Sequence, residues 1–351
     1  YDSVILHVVS EADTEITRSN GEQIPQLLLT CPENVQSHYH ELCVADHYPA
    51  CYPILASLPK LTIHSWLTAL QTERLEQKAQ LIMQRLELCN NNWEDAFFIT
   101  LARNFGFGLN GDTFETWAGL LPFRAMDKHR NDLFQIEAFF YGLAGLLEET
   151  FLKKEQEDEY SLRLCKEFRY LQRKFEIGQG MDATLWRFLR LRPENFPHIR
   201  LAQLAYLYQK GDKLFSRLLE AETLADVRTL LDARTSPYWE NHYLFGRLSS
   251  QKEKAMGERS KDLIIINTVV PFLYTYGLHK ADERMCERAG RFLEELKAEN
   301  NHIIRSWSDA GLPVVSAADS QALIQLQKEY CDKRKCLYCR FGYEYLKHTK
   351  I

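Results

Sequence analysis

From Thr62 to Cys89 the chain sets Trp66, Leu70, Leu75, Ile82 and Leu86 along one helical face with charged residues opposite, and no other pattern restricts its fold as strongly. A 3.6-residue period held over so many turns predicts one long amphipathic helix, closed at Asn90-Asn91-Asn92. The helical period sets in at Pro32 and predicts further helices over 33–46, Trp93–Phe105, a third through Leu121, and Leu133–Leu147 under an Asp132 cap. It continues over Leu201–Gln209, Lys213–Ala221, Leu224–Ala233, Leu263–Tyr276, Lys280–Glu299 and Ser316–Tyr330, while polar Ser249–Lys261 reads as a surface loop. No repeat period emerges, so the expected class is mainly α, a multi-helical array or bundle.

Strand signals are confined to the first residues: the Val4–Val9 run, Glu15–Arg18, the turn Ser19-Asn20-Gly21, and Gln26–Leu29. Asn-Gly between extended segments predicts a β-hairpin, whose apolar face must dock on something because two strands alone are marginal. Tyr1 and the β-branched run behind it begin without a turn or cap, as in a chain entered mid-domain. The expected division is a hairpin over 1–31, a helical domain over 32–330 and a cysteine-rich end over 331–351.

With 45% hydrophobic and 26% charged residues and a net charge of −5, the 351-residue chain reads as soluble and globular, without global attraction to nucleic acid. Any phosphate-binding face must be a local basic patch. The apolar run Leu263–Tyr276 is broken by Asn267 and Pro271 and is too short to cross a bilayer, so no membrane association is expected. Nine cysteines, an odd number, without a secretory signal point to reduced thiols and a cytoplasmic home.

Three of those cysteines, Cys331, Cys336 and Cys339, fall in C-x4-C-x2-C spacing, which can wrap one soft metal. Zinc or an iron–sulfur cluster needs a fourth ligand, for which Cys51, Cys43 and His348 are candidates and Cys51 is chosen. Lys333, Arg334 and Lys335 are expected to lower the thiol pKa values. The bland reading is a reduced, packed turn. A second group, His38, His40, Cys43, His47 and Cys51, is either a metal set or a polar helix followed by a proline turn.

Gly106, Gly108 and Gly111 follow a helix and lack the lysine-hydroxyl ending of a phosphate loop, so they read as helix stop and restart. Glu137, surrounded by Phe134, Ile136, Phe139, Phe140 and Tyr141, demands either a cation such as Arg103 or Arg130 or a raised pKa. The run Glu155–Glu159 reads as a solvated face or linker. Arg169, Arg173, Lys174, Arg187, Arg190, Arg192 and Arg200, interleaved with Phe168, Tyr170, Trp186 and Phe188, suit single-stranded nucleic acid. The same pattern arises where arginine stems cover a helix core. Pro197 at a helix start, with free amides and Arg200 close by, offers an anion seat or simply a rigid turn.

The segments YDSVILHVV, LARNFGFGLNG, QIEAFFYGLAGLL, RPENFPHIRLAQLA, INTVVPFLYTYG and CDKRKCLYCRFG together resemble the bacterial domain of unknown function 2851 family. That resemblance implies a preceding segment of strands with acidic and histidine residues, similar to a restriction-endonuclease-like α/β core, of which the hairpin would be the remnant. Mg2+ would be a cofactor only if such a core is complete, and His7 and Asp13 would be mere neighbours of it. Certain nucleases of that fold carry a cysteine cluster after the core and one cysteine before it, which the triplet resembles in outline only. Two function classes follow: a nucleic-acid binding or processing protein with a cysteine metal staple, and a non-catalytic helical interaction module with a structural zinc.

Overall fold

The computed structural model describes residues 1–46, 48–148, 151–152 and 157–347. The chain is mainly helical, with two very small two-stranded sheets among the described residues. Contacts group it into two units: 1–71 with 298–315 and 319–351, and 72–297 with 316–318. The ends of the described chain therefore share one unit, a grouping that differs from the expected division at 31 and 330.

In the first unit the strands His7–Val9 and Gln26–Leu28 pair in parallel, with His7 opposite Gln26 and Val9 opposite Leu28. The predicted hairpin is thus corrected. Its turn does form, with Gly21 at φ 81° and Arg18 N–H donating to Glu22 O at 2.8 Å, yet only Thr17 and Gln23 bridge across it. The intervening chain is long enough for a crossover, and parallel pairing results. Val8, Leu27, Leu28 and Leu29 stay about half exposed, so the expected docking of this face is not seen. No restriction-endonuclease-like core is present among the described residues. The core of this unit joins Leu42, Ile54 and Leu55 to Leu67 and Leu70, and these to Trp307, Leu323, Leu326 and Phe341.

The second unit is built on the helix Leu133–Leu143, which is buried from Ile136 to Leu143 and packs against the helices Glu159–Lys174 and Pro197–Lys210. Asp132 caps it as predicted, accepting from the Phe134 and Gln135 amides at 3.0 and 3.3 Å. Gly142 admits Phe168: a Cβ there would lie 2.2 Å from that ring. The Trp93–Phe105 helix forms with the predicted limits because Asn92 caps it, and Trp93 and Phe97 stack on Phe215 at 5.6 and 5.5 Å.

The helical run from Glu258 to Lys280 widens to a π turn at Ile265–Val269. Pro271 has no N–H to offer the Asn267 carbonyl and its ring crowds that oxygen, so the helix must open there. Asn104 Nδ2 donates to that oxygen at 3.0 Å, and also reaches Thr100 O at 3.1 Å and Thr268 Oγ1 at 2.8 Å. Asn104→Ala is therefore expected to cost about 1–3 kcal/mol in urea unfolding, the penalty of an orphaned carbonyl. A loss within error would show that another group satisfies Asn267.

Candidate metal centre

Cys51, Cys331, Cys336 and Cys339 line one cavity of ≈ 70 Å³ in the first unit, together with Leu42, Tyr48, Ala50 and Arg334 among others. Cys51 precedes the short helix Tyr52–Leu55, and Cys331 ends the π turn Leu326–Cys331. Cys336 opens the turn Cys336–Tyr338, and Cys339 immediately precedes the helix Arg340–Lys347. The polypeptide around them is tightly specified. Arg334 takes a left-handed φ of 52°, Lys335 N–H donates to Tyr330 O at 2.8 Å, and a Cβ on Gly342 would fall 2.1 Å from the Cys336 carbonyl oxygen. Tyr330 meets Trp66 edge-on at 5.5 Å.

Burial dominates the electrostatics. Cys51 and Cys339 are each 7% exposed, and Cys331 and Cys336 are partly buried. The Cys51 thiol is held well above its ordinary pKa, first by burial and then by Cys339, Cys331 and Cys336, whose sulfurs lie close enough to repel a thiolate. Burial, then Cys339, pushes Cys331 up to about 12. Burial raises Cys339 too, against the Gly342 and Phe341 amides and the Trp66 indole, which favour its thiolate. The Trp66 ring N–H is buried without a conventional hydrogen-bond partner. Tyr48 favours the charged form of Cys331 in the same way.

The expected lowering by the basic triplet is overturned. Lys333 pairs with Glu329 at 2.5 Å, and the Arg334 guanidinium donates to the Cys43 carbonyl. Arg334 eases only Cys336, whose pKa stays raised by burial and then by Cys43. Among the described residues, no group of three or more His, Cys, Asp or Glu side chains is arranged to hold a metal ion.

The described members of the histidine group do not assemble into one site. His38 is buried, donating Nδ1–H to Leu346 O at 3.1 Å and meeting Tyr345 edge-on, as a core histidine does, and His40 is exposed. Cys43 lies beside Cys336 but off the cavity wall. His47, His348 and the Glu155 end of the acidic run lie outside the described residues, whereas Asp158 caps the helix Glu159–Lys174.

In the second unit Arg169, Arg173 and Lys174 are exposed on the last turns of the Glu159–Lys174 helix, and Arg187, Arg190 and Arg192 are exposed on the loop beyond it. Asn110 fixes that loop, donating to Arg187 O and accepting from Arg187 N–H, both at 2.9 Å. This explains the glycine-rich turn: Gly106 packs against the Asn110–Gly111 backbone and brings Asn110 round. Of the interleaved aromatics, Trp186 is buried and donates to Ala144 O, Phe168 and Phe188 are half-buried, and Tyr170 is exposed. Arg200 departs from the group, being only 6% exposed.

Glu137 is fully buried, but neither suggested cation reaches it. Arg103 pairs with Glu115 and Asp112, and Arg130 with Asp127. The Tyr160 hydroxyl donates to Glu137 Oε2 instead, and burial raises the carboxyl to about 7.

Fold and cavity together define a mainly helical protein with a four-cysteine cavity in one of its two units. The family described as "Protein of unknown function (DUF2851)" matches residues 1–302, and the chain belongs to it. The matched stretch includes Cys51 and ends before Cys331. Comparison with curated proteins and with solved structures finds no match.

Proposed function

We propose that Cys51, Cys331, Cys336 and Cys339 hold an iron–sulfur cluster that staples the first unit, in a protein that binds nucleic acid through the exposed cations Arg169–Arg192. The observation that carries the first part is that Cys51, from far earlier in the chain, lines one cavity with the triplet Cys331, Cys336 and Cys339. Two buried and two partly buried thiols, with N–H groups turned toward Cys339 and a hydroxyl toward Cys331, are poorly served by one another, and a cationic core that deprotonates them resolves the mismatch. A single zinc ion needs its sulfurs about 2.3 Å from one centre. A four-iron cluster takes one thiolate per iron around a larger core, and so asks for four sulfurs spaced around a shared cavity.

Iron, sulfide and zinc assays with an optical spectrum of anaerobically purified protein test this. Brown protein with iron and sulfide is expected. Stoichiometric zinc without iron would replace the cluster by the structural-zinc alternative, and protein free of both would return the thiols to packing.

Nucleic-acid binding is supported by the exposed arginines on a chain whose overall charge is negative, so the attraction must be local. Binding of a single-stranded oligonucleotide is expected to weaken steeply with salt, and Arg187→Glu with Arg190→Glu to weaken it roughly tenfold or more at low salt. Fluorescence anisotropy reads both effects. No binding at low salt, or binding indifferent to the two reversals, would remove this part.

A further inference from the structure

The second unit contains a cavity of ≈ 260 Å³ whose wall includes Arg200, Lys254, Asn195 and Gln203. Two of these are buried cations: Arg200 is 6% and Lys254 4% exposed. Neither hydrogen-bonds a carboxylate. Arg200 donates from Nη1 to Gln203 Oε1 at 2.8 Å and from Nη2 to Asn195 Oδ1 at 2.5 Å, and its Nε is buried without a partner. Its guanidinium lies 4.3 Å from the centre of the Phe107 ring. Lys254 donates to the carbonyls of Trp239 and Glu240, the latter at 2.7 Å, and sits 4.3 Å from the Tyr243 ring centre.

Two carboxylates on the same wall are engaged elsewhere, Glu194 with Lys252 at 2.5 Å and Glu253 with Arg234 at 3.1 Å. Gln203 ties the two cations together, accepting from Arg200 while its Nε2 donates to Lys254 O at 2.9 Å. Ile199, in the first turn of the Pro197–Lys210 helix, also lines the cavity, and that helix begins at Phe196 without a side-chain cap. Its amino end adds partial positive charge to the same place. Burial draws the Arg200 pKa down to about 10, which leaves it charged at neutral pH. Glu194 eases Arg200, and Glu240 and Glu194 ease Lys254, only through space, without hydrogen-bonding either cation. A buried cation compensated at that remove is still costly, and an anion bound directly to it relieves that cost.

We propose that this cavity binds a phosphate monoester, with Arg200 as the central ligand and Lys254 and the helix amino end as its support. The guanidinium is recessed, so a terminal phosphate reaches it while an internal phosphodiester, carrying chain on both sides, does not. Either a small phosphorylated molecule or the phosphorylated end of a nucleic acid supplies that chemistry. The site is built from residues other than the exposed arginines, and its test with inorganic phosphate does not depend on them.

Thermal melting of the full chain in inorganic phosphate, against chloride at matched ionic strength, is expected to show a midpoint rising with phosphate concentration. Phosphorus NMR of the same titration should show line broadening. Arg200→Gln removes the ligand. Asn195→Asp keeps the Arg200 acceptor and supplies an internal anion, so it should fold and weaken phosphate binding roughly tenfold or more. Oligonucleotides of one sequence with a 5′-phosphate or a 5′-hydroxyl then separate the sources. A gain from the 5′-phosphate marks a nucleic-acid end, and protection by inorganic phosphate without that gain marks a small molecule. A phosphate response no larger than that of chloride, or one unchanged in Asn195→Asp, overturns the proposal. Should Arg200→Gln fail to fold, Asn195→Asp alone decides.

Discussion

Cys51→Ser is expected to strip the protein of most of its iron and sulfide and to lower its unfolding free energy far beyond what packing explains. As a simple core residue, Cys51 exchanged for serine places a hydroxyl where a thiol was, at a cost of about 1–2 kcal/mol. As a ligand, its loss opens the inorganic core, and the binding energy forfeited counts directly as folding energy, on the order of several kcal/mol. Denaturant unfolding with and without a chelator separates the two cases. A chelator that leaves wild-type unfolding unchanged, joined to a small loss in Cys51→Ser, would mean that nothing is bound. Cys43→Ser is the control, because Cys43 adjoins Cys336 without lining the cavity.

Glu137→Gln should stabilise the protein at neutral and alkaline pH and flatten its pH dependence. Burial raises this carboxyl from about 4.5 to about 7, against the Tyr160, Ser236 and Trp239 groups that favour its charge. Between those values the folded protein holds a proton that the unfolded chain has released. Stability tied to this group is thus complete below about pH 4.5 and is lost as pH rises through about 7. The difference corresponds to about 3 kcal/mol, and glutamine, which cannot ionise, escapes it. The amide also retains an acceptor for the Tyr160 hydroxyl. Urea unfolding at pH 5 and pH 8 checks the claim: the variant should gain at pH 8 and not at pH 5. Equal effects at both would show that Glu137 does not change its protonation between them.

Local chemistry made much of the helical body legible. Asn92 and Asp132 cap their helices where side-chain oxygens precede apolar periods, whereas Asn267 and Pro271 read only as interruptions of an apolar run and did not disclose the π turn there. What stayed hidden depends on pairing over distance. Parallel pairing of His7–Val9 with Gln26–Leu28 leaves the same alternation in the sequence as a hairpin does, and only the turn region between them betrays a local signal. The polar stretch Ser249–Lys261 concealed Lys254 and Met256, 4% and 3% exposed, because a lysine stem and a single apolar residue carry no period. Burial of Glu137 followed from its aromatic neighbours, but a phenol as its partner could not, since Tyr160 lies on another helix. The cysteine triplet announced itself by spacing. Its association with Cys51 was one choice among three, and the lysines and arginine between the thiols misled, because desolvation outweighs their charge.

That residues 1–71, 298–315 and 319–347 complete one another has a consequence for synthesis on the ribosome. The body formed by 72–297 is nearly contiguous and can consolidate as it emerges, needing little from later chain. Its companion must wait, holding Leu42, Ile54 and Leu67 in an incomplete state until Trp307, Leu323 and Phe341 have been translated. Nascent chains arrested before residue 300 should accordingly protect the middle of the protein from proteolysis and leave its first seventy or so residues open to cleavage.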